Sequence, residues 1–118
     1  MNIDVQYHRI VLVRACPGSA GSRLALERIE RWLGASGTRL LAFFHGAGVD
    51  HAATDEPAAE WRRLSGWHDV GLEVCSGSWQ RRHASSLSPP WQLSSLVAFW
   101  HRALAADEVI CFGRWHER

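Results

Sequence analysis

The amino-acid sequence predicts a single α/β domain over residues 1–118, with a mostly parallel sheet of five strands or fewer and helices on both faces. Short β-branched, apolar segments alternate with longer segments of helical periodicity, which is typical of parallel sheets. The chain has 118 residues, enough to bury the core of one domain. Its composition, 47% hydrophobic and 21% charged, is that of a globular protein.

The first elements are a strand, a helix and a second strand. Residues 8–14 (HRIVLVR) are apolar and β-branched and predict a buried strand, and residues 16–21 form a turn-rich loop. Helical spacing of apolar residues follows, with Ser22 as the expected N-cap and Gly34 as the expected end. Residues 39–44 (RLLAFF) predict the second buried strand.

The middle of the chain predicts another helix–strand–helix unit. Pro57 opens a helix at a position where its missing N–H costs nothing. Residues 70–74 predict a third strand that ends at Cys75, and residues 76–83 predict a short helix that leaves it. Residues 87–90 (LSPP) predict a loop.

The C-terminal part predicts the most amphipathic helix of the chain and a last strand. Apolar residues recur at helical spacing at Leu93, Leu96, Val97, Trp100 and Leu104. Trp91 and Trp100 are therefore expected to pack in the interior, whereas Trp79 is the expected interface residue. Residues 108–112 predict the closing strand, with Cys111 in the core.

Charge and residue usage exclude several functional classes. The net charge is +1, which gives no reason to expect nucleic acid or an anionic membrane as a partner. The sequence contains no lysine, so Schiff-base chemistry and a lysine-dependent phosphate loop are excluded. No apolar stretch is long enough to span a bilayer, and the N-terminus does not resemble a signal peptide, so we expect a cytoplasmic protein. Seven tryptophans in a chain of this length suggest an oligomer.

Cys75 is the best candidate for a reactive residue. It ends a strand, and ligands of parallel sheets collect at the carboxyl ends of the strands. Two small residues, Ser76 and Gly77, follow it and begin a helix. The free N–H groups and the dipole at the start of this helix favour a thiolate. Arg81 and Arg82 on that helix add positive charge. The alternative is that Cys75 is a buried thiol that serves as a small hydrophobic residue.

Other candidate residues lie in neighbouring loops. Cys16 could be a second relay or resolving thiol, although a packed loop residue before Pro17 is the favoured interpretation. His45 or His51 could act as a base near the thiol, or could be a solvated loop residue. These histidines and Cys75 do not have a recognised zinc spacing, so no metal and no cofactor are expected.

The segment around Cys75 resembles the active-site segment of DsrE/TusD-type sulfur-relay proteins (DsrE/DsrF-like). In that family a strand of the form HGVxLxxC delivers the sulfur-carrying cysteine, and two arginines follow on the next helix. The matching residues here are His68–Cys75 (HDVGLEVC) and Arg81-Arg82. The resemblance also covers the N-terminal strand with its loop, Phe43-Phe44, Gly48-Val49, a helix bearing Trp61, and the closing helix and strand.

The resemblance implies a doubly wound sheet and a relay function. A member of the family accepts sulfane sulfur from a donor protein, holds it as a persulfide on the residue matched by Cys75, and passes it to an acceptor protein, in tRNA thiolation or sulfur oxidation. It also implies a homo-oligomer, or a hetero-oligomer with related subunits. The alternative function is a non-catalytic scaffold subunit or a small-ligand-binding protein. The polar helix after Cys75 and the short Ser/Pro-rich connection at residues 83–90 depart from the family pattern and leave subunit type open.

Overall fold

The computed structural model describes residues 6–34, 37–67 and 69–113 of the chain. Its strands are β1 (Arg9–Val13), β2 (Leu40–Phe44), β3 (Val70–Cys75), β4 (Gln92–Ser94) and β5 (Glu108–Phe112). Its helices are α1 (Ala20–Trp32), α2 (Asp55–Trp67), α3 (Ser76–Arg82) and α4 (Leu96–Ala105), and a 3-10 helix spans Gly46–Ala53. His68, the first residue of the matched segment, lies outside the described residues. None of the helices described is both long and apolar enough to cross a membrane.

The strands form one parallel sheet in the order β4-β3-β2-β1-β5. The chain moves across the sheet in one direction from β1 to β4 and then returns to place β5 beside β1. Since crossovers between parallel strands are right-handed, the return connection puts its helix on the opposite face from the others. The predicted α/β sheet with helices on both faces is confirmed.

The larger core lies between the sheet and helices α1 and α2. Its buried side chains include Ile29 of α1, Phe44 of β2 and Trp61 of α2. The rings of Phe44 and Trp61 meet edge to face at 5.1 Å, and Phe44 meets Trp91 in the same way at 5.0 Å. The predicted interior position of Trp91 is therefore correct. Trp79 is also buried in this core, so its predicted role as an interface residue is wrong.

Helix α4 covers the second face of the sheet. Phe99 of α4 packs on Phe43 of β2 with ring centroids 4.8 Å apart. Arg102 of α4 forms an ion pair with Glu73 of β3, and both side chains are buried. This face is thus held by a buried apolar cluster, to which Phe43 and Phe99 belong, and by one buried charge pair.

The predicted inner face of α4 is wrong at four of its five residues, whereas Leu96 is partly buried against the core. Val97 is 81% exposed, Trp100 51% and Leu104 88%, and Leu93, which belongs to β4 rather than to the helix, is 42% exposed. The residues that face the sheet are Ala98, Phe99 and Arg102. Because α4 is apolar on two sides, periodicity could not show which side the sheet would bury.

Three other expectations need correction. The N-cap of α1 is Ser19, whose hydroxyl oxygen accepts from the Ser22 N–H at 3.2 Å, so Ser22 lies inside the helix. β4, which pairs with β3 at the edge of the sheet, has no counterpart in the prediction. Cys111 is exposed rather than in the core, and it lies in β5, the other edge strand of the sheet.

Candidate functional site

Cys75 is the last residue of β3 and directly precedes α3. Its side chain is 5% exposed and packs with Phe43 and Phe99 on the α4 side of the sheet. Apolar surroundings of this kind disfavour a thiolate, because they remove the charge from water. Cys75 therefore depends on polar neighbours if it is to ionise.

Polar neighbours at the carboxyl end of the sheet ionise Cys75. Burial raises the pKa of the thiol, but hydrogen bonds from the His45 side chain and from the backbone N–H and hydroxyl of Ser78 outweigh it and lower the pKa to about 6. Ser78 Oγ itself accepts from the Gly46 N–H at 2.9 Å, which leaves its hydrogen free to point at the sulfur. The thiolate is thus the main form of Cys75 at neutral pH.

His45 is oriented by Arg14, the residue that follows β1. The Arg14 Nε–H donates to His45 Nδ1 at 3.0 Å. His45 was predicted as a possible base near the thiol, and the structure does bring it to Cys75. Arg14 and Ser78 were not predicted, although both lie in segments that the predicted topology brings to the same edge of the sheet.

The hydrogen-bond partners of Cys75 line a surface cavity of about 380 Å³. The cavity is lined by Arg14, His45, Gly46, Ala47, Ser78, Arg81 and Arg82. Three of these seven residues are arginines, so the cavity suits an anion. Cys75 itself does not line the cavity, but two residues that interact with it, His45 and Ser78, do.

The two arginines of α3 differ in their surroundings. Arg82 forms a two-point ion pair with Asp50 of the 3-10 helix, with Nε–Oδ1 at 3.1 Å and Nη2–Oδ2 at 2.7 Å. The hydrogen bond from Arg82 is the main reason that the pKa of Asp50 lies below its ordinary value. Arg81 instead lies beside Gly77, close to Cys75. Both arginines were predicted to stabilise an anion, but only Arg81 has no carboxylate partner among the described residues.

The residues directly after Cys75 begin α3 as predicted. Ser76 and Gly77 were expected to stabilise the anion. The donors of α3 that lower the pKa of Cys75 belong instead to Ser78, the next residue of the helix. Gly77 contributes differently, since its missing side chain leaves space next to the sulfur.

His51 does not take part in the site. It is fully buried, its Nδ1–H donates to the Gly48 carbonyl at 2.8 Å, and its Nε2 accepts from the Ser22 hydroxyl at 2.7 Å. Burial lowers the pKa of His51, which keeps the ring neutral. With both nitrogens engaged, His51 links α1 to the 3-10 helix, and its predicted role near the thiol is wrong.

Cys16 is exposed in the loop after β1, so the favoured interpretation of a packed loop residue is wrong. The pKa of Arg82 is raised mainly by its hydrogen bond to Asp50, and the charge of Cys16 also contributes, which indicates that Cys16 lies on the same side of the molecule as α3. Cys16, Cys75 and Cys111 are all free thiols. In the part of the chain described, no three His, Cys, Asp or Glu side chains are grouped so as to hold a metal ion.

Comparison with known proteins gives one family and two similar structures. The family model described as the DsrE/DsrF-like family matches residues 9–112. The crystal structure of the ychN protein from E. coli has a TM-score of 0.76 at 20% identity, and the match covers 92% of this chain and 100% of that chain. The protein of unknown function MTH1491 from Methanobacterium thermoautotrophicum has a TM-score of 0.71 at 15% identity, covering 86% of this chain and 98% of that chain. At these identities the two structures show a likeness of fold alone. No curated protein matches the chain.

Proposed function

We propose that this chain, which belongs to the DsrE/DsrF-like family, is a sulfur-relay protein that carries sulfane sulfur as a persulfide on Cys75. The main support is the state of its thiol, whose pKa is about 6 and whose hydrogen-bond partners line an arginine-rich cavity. A thiolate is the form of cysteine that attacks sulfur. The family as a whole is associated with sulfur transfer.

The relay consists of two sulfur transfers that need no external oxidant or reductant. First, Cys75 Sγ attacks the outer sulfur of a donor persulfide. A bond forms between these two sulfurs, the S–S bond of the donor breaks, and the electron pair leaves on the donor thiolate. Second, an acceptor thiolate attacks the outer sulfur and Cys75 leaves as a thiolate. A low pKa favours this second step, because a thiolate of low pKa is a good leaving group.

Three neighbours of Cys75 have distinct functions in this scheme. His45 and Ser78 donate hydrogen bonds to the sulfur whenever it carries negative charge, before uptake and after release. Arg81 supplies positive charge from the cavity side. Cys16 is the remaining auxiliary candidate, as an exposed second thiol in the loop after β1.

The alternative function is a non-catalytic scaffold subunit or a small-ligand-binding protein with the same fold. The observation that favours it is the burial of Cys75, which is 5% exposed and contacts Phe43 and Phe99. Against it, a thiol with a purely packing role needs no hydrogen-bond donors, and Cys75 has three. The relay therefore accounts for more of the site.

We also propose that the chain works as an oligomer with itself or with related subunits. Val97, Trp100 and Leu104 form an exposed apolar surface on α4, which we call the α4 face. A contiguous exposed apolar surface is typical of a protein–protein contact. The partners of the relay are donor and acceptor proteins, and neither nucleic acid nor a membrane contacts the site directly. Free thiols suit a reducing compartment, so we assign the relay to the cytoplasm, in tRNA thiolation or sulfur oxidation.

The experiment that tests the relay is sulfur loading followed by intact-mass spectrometry. Wild-type protein is incubated with a persulfide donor or with polysulfide, and its mass is compared with that of Cys75→Ser treated in parallel. We expect one added sulfur atom on the wild type and none on Cys75→Ser. Cys16→Ser and Cys111→Ser are matched controls, because they remove the two exposed thiols and leave Cys75 in place.

Two outcomes would reject the relay. One is a wild-type protein that takes up no sulfur. The other is equal uptake by wild type and Cys75→Ser, which would assign the reaction to another thiol. Loss of uptake in Cys16→Ser alone would assign sulfur addition to Cys16, in the loop after β1.

A further inference from the structure

Gly77 leaves the position of a side chain empty beside the Cys75 sulfur and the Arg81 guanidinium. A Cβ atom at residue 77 would lie 4.0 Å from Cys75 Sγ, 3.4 Å from Arg81 Nη1 and 4.0 Å from Arg81 Nη2. The sulfur and the guanidinium are therefore both next to the position that a side chain at residue 77 would occupy. Glycine is the one residue that keeps this position open.

The backbone at residue 77 does not itself require glycine. Positive φ angles, which favour glycine, occur at Gly18, Gly37, Gly46 and Gly113, and Gly77 is not among these positions. Residue 77 lies inside α3, where alanine forms helix better than glycine does. Local structure thus gives no reason for a residue without a side chain.

Several side chains already surround Cys75. Phe43 and Phe99 pack on its apolar side. His45 and Ser78 contact it with their hydrogen-bond donors. Residue 77 carries no side chain, so an atom added to the sulfur can be placed beside it.

We infer that the outer sulfur of the Cys75 persulfide occupies the space beside Gly77, with its negative charge facing the guanidinium of Arg81. This position rests on the proposed relay. It specifies where the transferred sulfur lies and which residue balances its negative charge. A persulfide is ionised near neutral pH, so a cation next to the outer sulfur stabilises it. Arg81 then acts as a binding residue for the cargo and not for the resting thiolate.

The position beside Gly77 could not hold both a methyl group and a second sulfur atom. An outer sulfur bonded at about 2.05 Å from Sγ and directed into this space would be left about 2 Å from a methyl carbon at residue 77. Contact between non-bonded heavy atoms needs about 3.5 to 4.0 Å. Alanine at residue 77 is therefore compatible with a bare thiolate and incompatible with a persulfide in this position.

Arg81, and not Arg82, has the geometry for this function. Arg82 is held by two hydrogen bonds to Asp50, whose carboxylate already neutralises it. Arg81 has no such ion pair within the described residues, and its guanidinium borders the open space. Arg81 is not among the main causes of the lowered pKa of Cys75, which are the contacts with His45 and Ser78, so its removal should leave most of this lowering in place.

The test compares Gly77→Ala with Gly66→Ala. Gly66 lies in α2, and a Cβ added there meets nothing within 4 Å, so it gives the same substitution in a helix with open space. Two quantities are measured for each variant: the pKa of Cys75 from thiolate absorbance, and the fraction of persulfide from intact mass after sulfur loading. We expect Gly77→Ala to keep a pKa near that of the wild type, about 6, and to hold about tenfold less persulfide, because the added methyl overpacks the site. Gly66→Ala should match the wild type in both.

Each outcome distinguishes this inference from the relay itself. If the wild type takes up no sulfur, the relay is rejected and the inference with it. If the wild type loads and Gly77→Ala holds as much persulfide, the relay stands and the position assigned to the outer sulfur is wrong.

A second pair of variants tests the contribution of the Arg81 charge. It remains informative if Gly77→Ala fails to fold. Arg81→Gln should keep the pKa of Cys75 while the fraction of persulfide falls about tenfold, since a charge-assisted contact is lost. Arg63→Gln, at an exposed arginine of α2, is its control. Full persulfide loading in Arg81→Gln would overturn the assignment of Arg81 as the counter-charge.

Discussion

Arg14 and His45 form a hydrogen bond of 3.0 Å that determines which nitrogen of the histidine faces the reactive sulfur. A guanidinium can only donate, so Nδ1 of His45 must accept and carries no hydrogen. The ring hydrogen then lies on Nε2, which is the nitrogen that can donate to Cys75. An arginine at the end of β1 thereby supports a thiolate at the end of β3.

This relationship predicts that Arg14→Met raises the pKa of Cys75. Methionine fills a similar volume but cannot donate to Nδ1, so His45 is free to adopt the other tautomer and withdraw its donor from the sulfur. Loss of one hydrogen bond to the charged form should raise the pKa by about one unit. Thiolate absorbance recorded as a function of pH measures the pKa of Cys75. Arg23→Met, on the exposed side of α1, should leave the pKa unchanged; an unchanged pKa in Arg14→Met would show that the tautomer does not matter.

Sulfur uptake by Cys75 should depend on pH as expected for a thiol with a pKa of about 6. Below this pH the thiolate fraction falls roughly tenfold for each pH unit, and the rate of uptake should fall with it. Above about pH 7 the rate should level off. An unperturbed thiol would continue to gain rate up to a pH near its ordinary pKa of 9.0. Stopped-flow measurement with a low-molecular-weight polysulfide from pH 5 to 9 would distinguish the two profiles, and a rate still rising at pH 9 would refute a lowered pKa.

The same thiol should make the free energy of unfolding depend on pH. The pKa of Cys75 is about 6 in the folded protein, against an ordinary value of 9.0 that applies when the chain is unfolded. Between these values the unfolded chain binds more protons, so ionisation of Cys75 stabilises the fold increasingly as pH rises. The contribution is complete above the unfolded pKa and is lost as pH falls through the folded pKa. Urea unfolding of wild type and Cys75→Ser at several pH values measures it, and the difference between them should grow from pH 6 to pH 9.

The α4 face predicts a change in oligomeric state. Leu104 is 88% exposed although it is apolar. Leu104→Glu should dissociate the oligomer without unfolding the subunit, because a charge is expelled from an apolar contact but tolerated in water. Light scattering after size-exclusion chromatography gives the mass. Leu24→Glu is the matched control, because Leu24 is an exposed leucine of α1, 52% exposed, on the other face of the sheet; equal masses for all three proteins would mean that the α4 face is not the contact.

Glu73 and Arg102 form a buried ion pair. The free energy of unfolding should fall more when one of them is replaced than when both are. Replacing Arg102 alone with methionine leaves a carboxylate buried without its main counter-charge, which costs about 3 to 5 kcal/mol. Replacing both residues, as Glu73→Leu with Arg102→Met, removes both charges and should cost much less. Chemical denaturation of the two variants compares these costs. A double variant less stable than Arg102→Met would show that the pair is net stabilising.

Local signals in the sequence located most strands and helices of this protein. The limits of β5 were predicted as they are found, Glu108–Phe112, and β3 ends at Cys75 as expected, because short apolar segments with β-branched residues are recognisable from neighbours in sequence. The edge strand β4 was missed because its three residues, Gln92–Ser94, carry no such signal. Its pairing with β3 depends on the rest of the sheet.

The candidate site was predicted only in part for a similar reason. Cys75 could be singled out because the residues around it carry a local pattern. Ser78 and Arg14 could not, since nothing near Arg14 in sequence indicates a contact with a histidine 31 residues away. The two histidines of the β2 loop were equivalent in sequence, and only the fold separates His45, which reaches the sulfur, from His51, which is bonded to Ser22.

Residue patterns alone thus predicted the order of the elements, apart from β4, and the position of Cys75 at the end of a strand. These features follow from residue types a few positions apart. The tertiary structure alone decided which side of α4 meets the sheet and which side chains surround Cys75. Such contacts join segments that are distant in the chain, and their geometry exists only once the strands have paired.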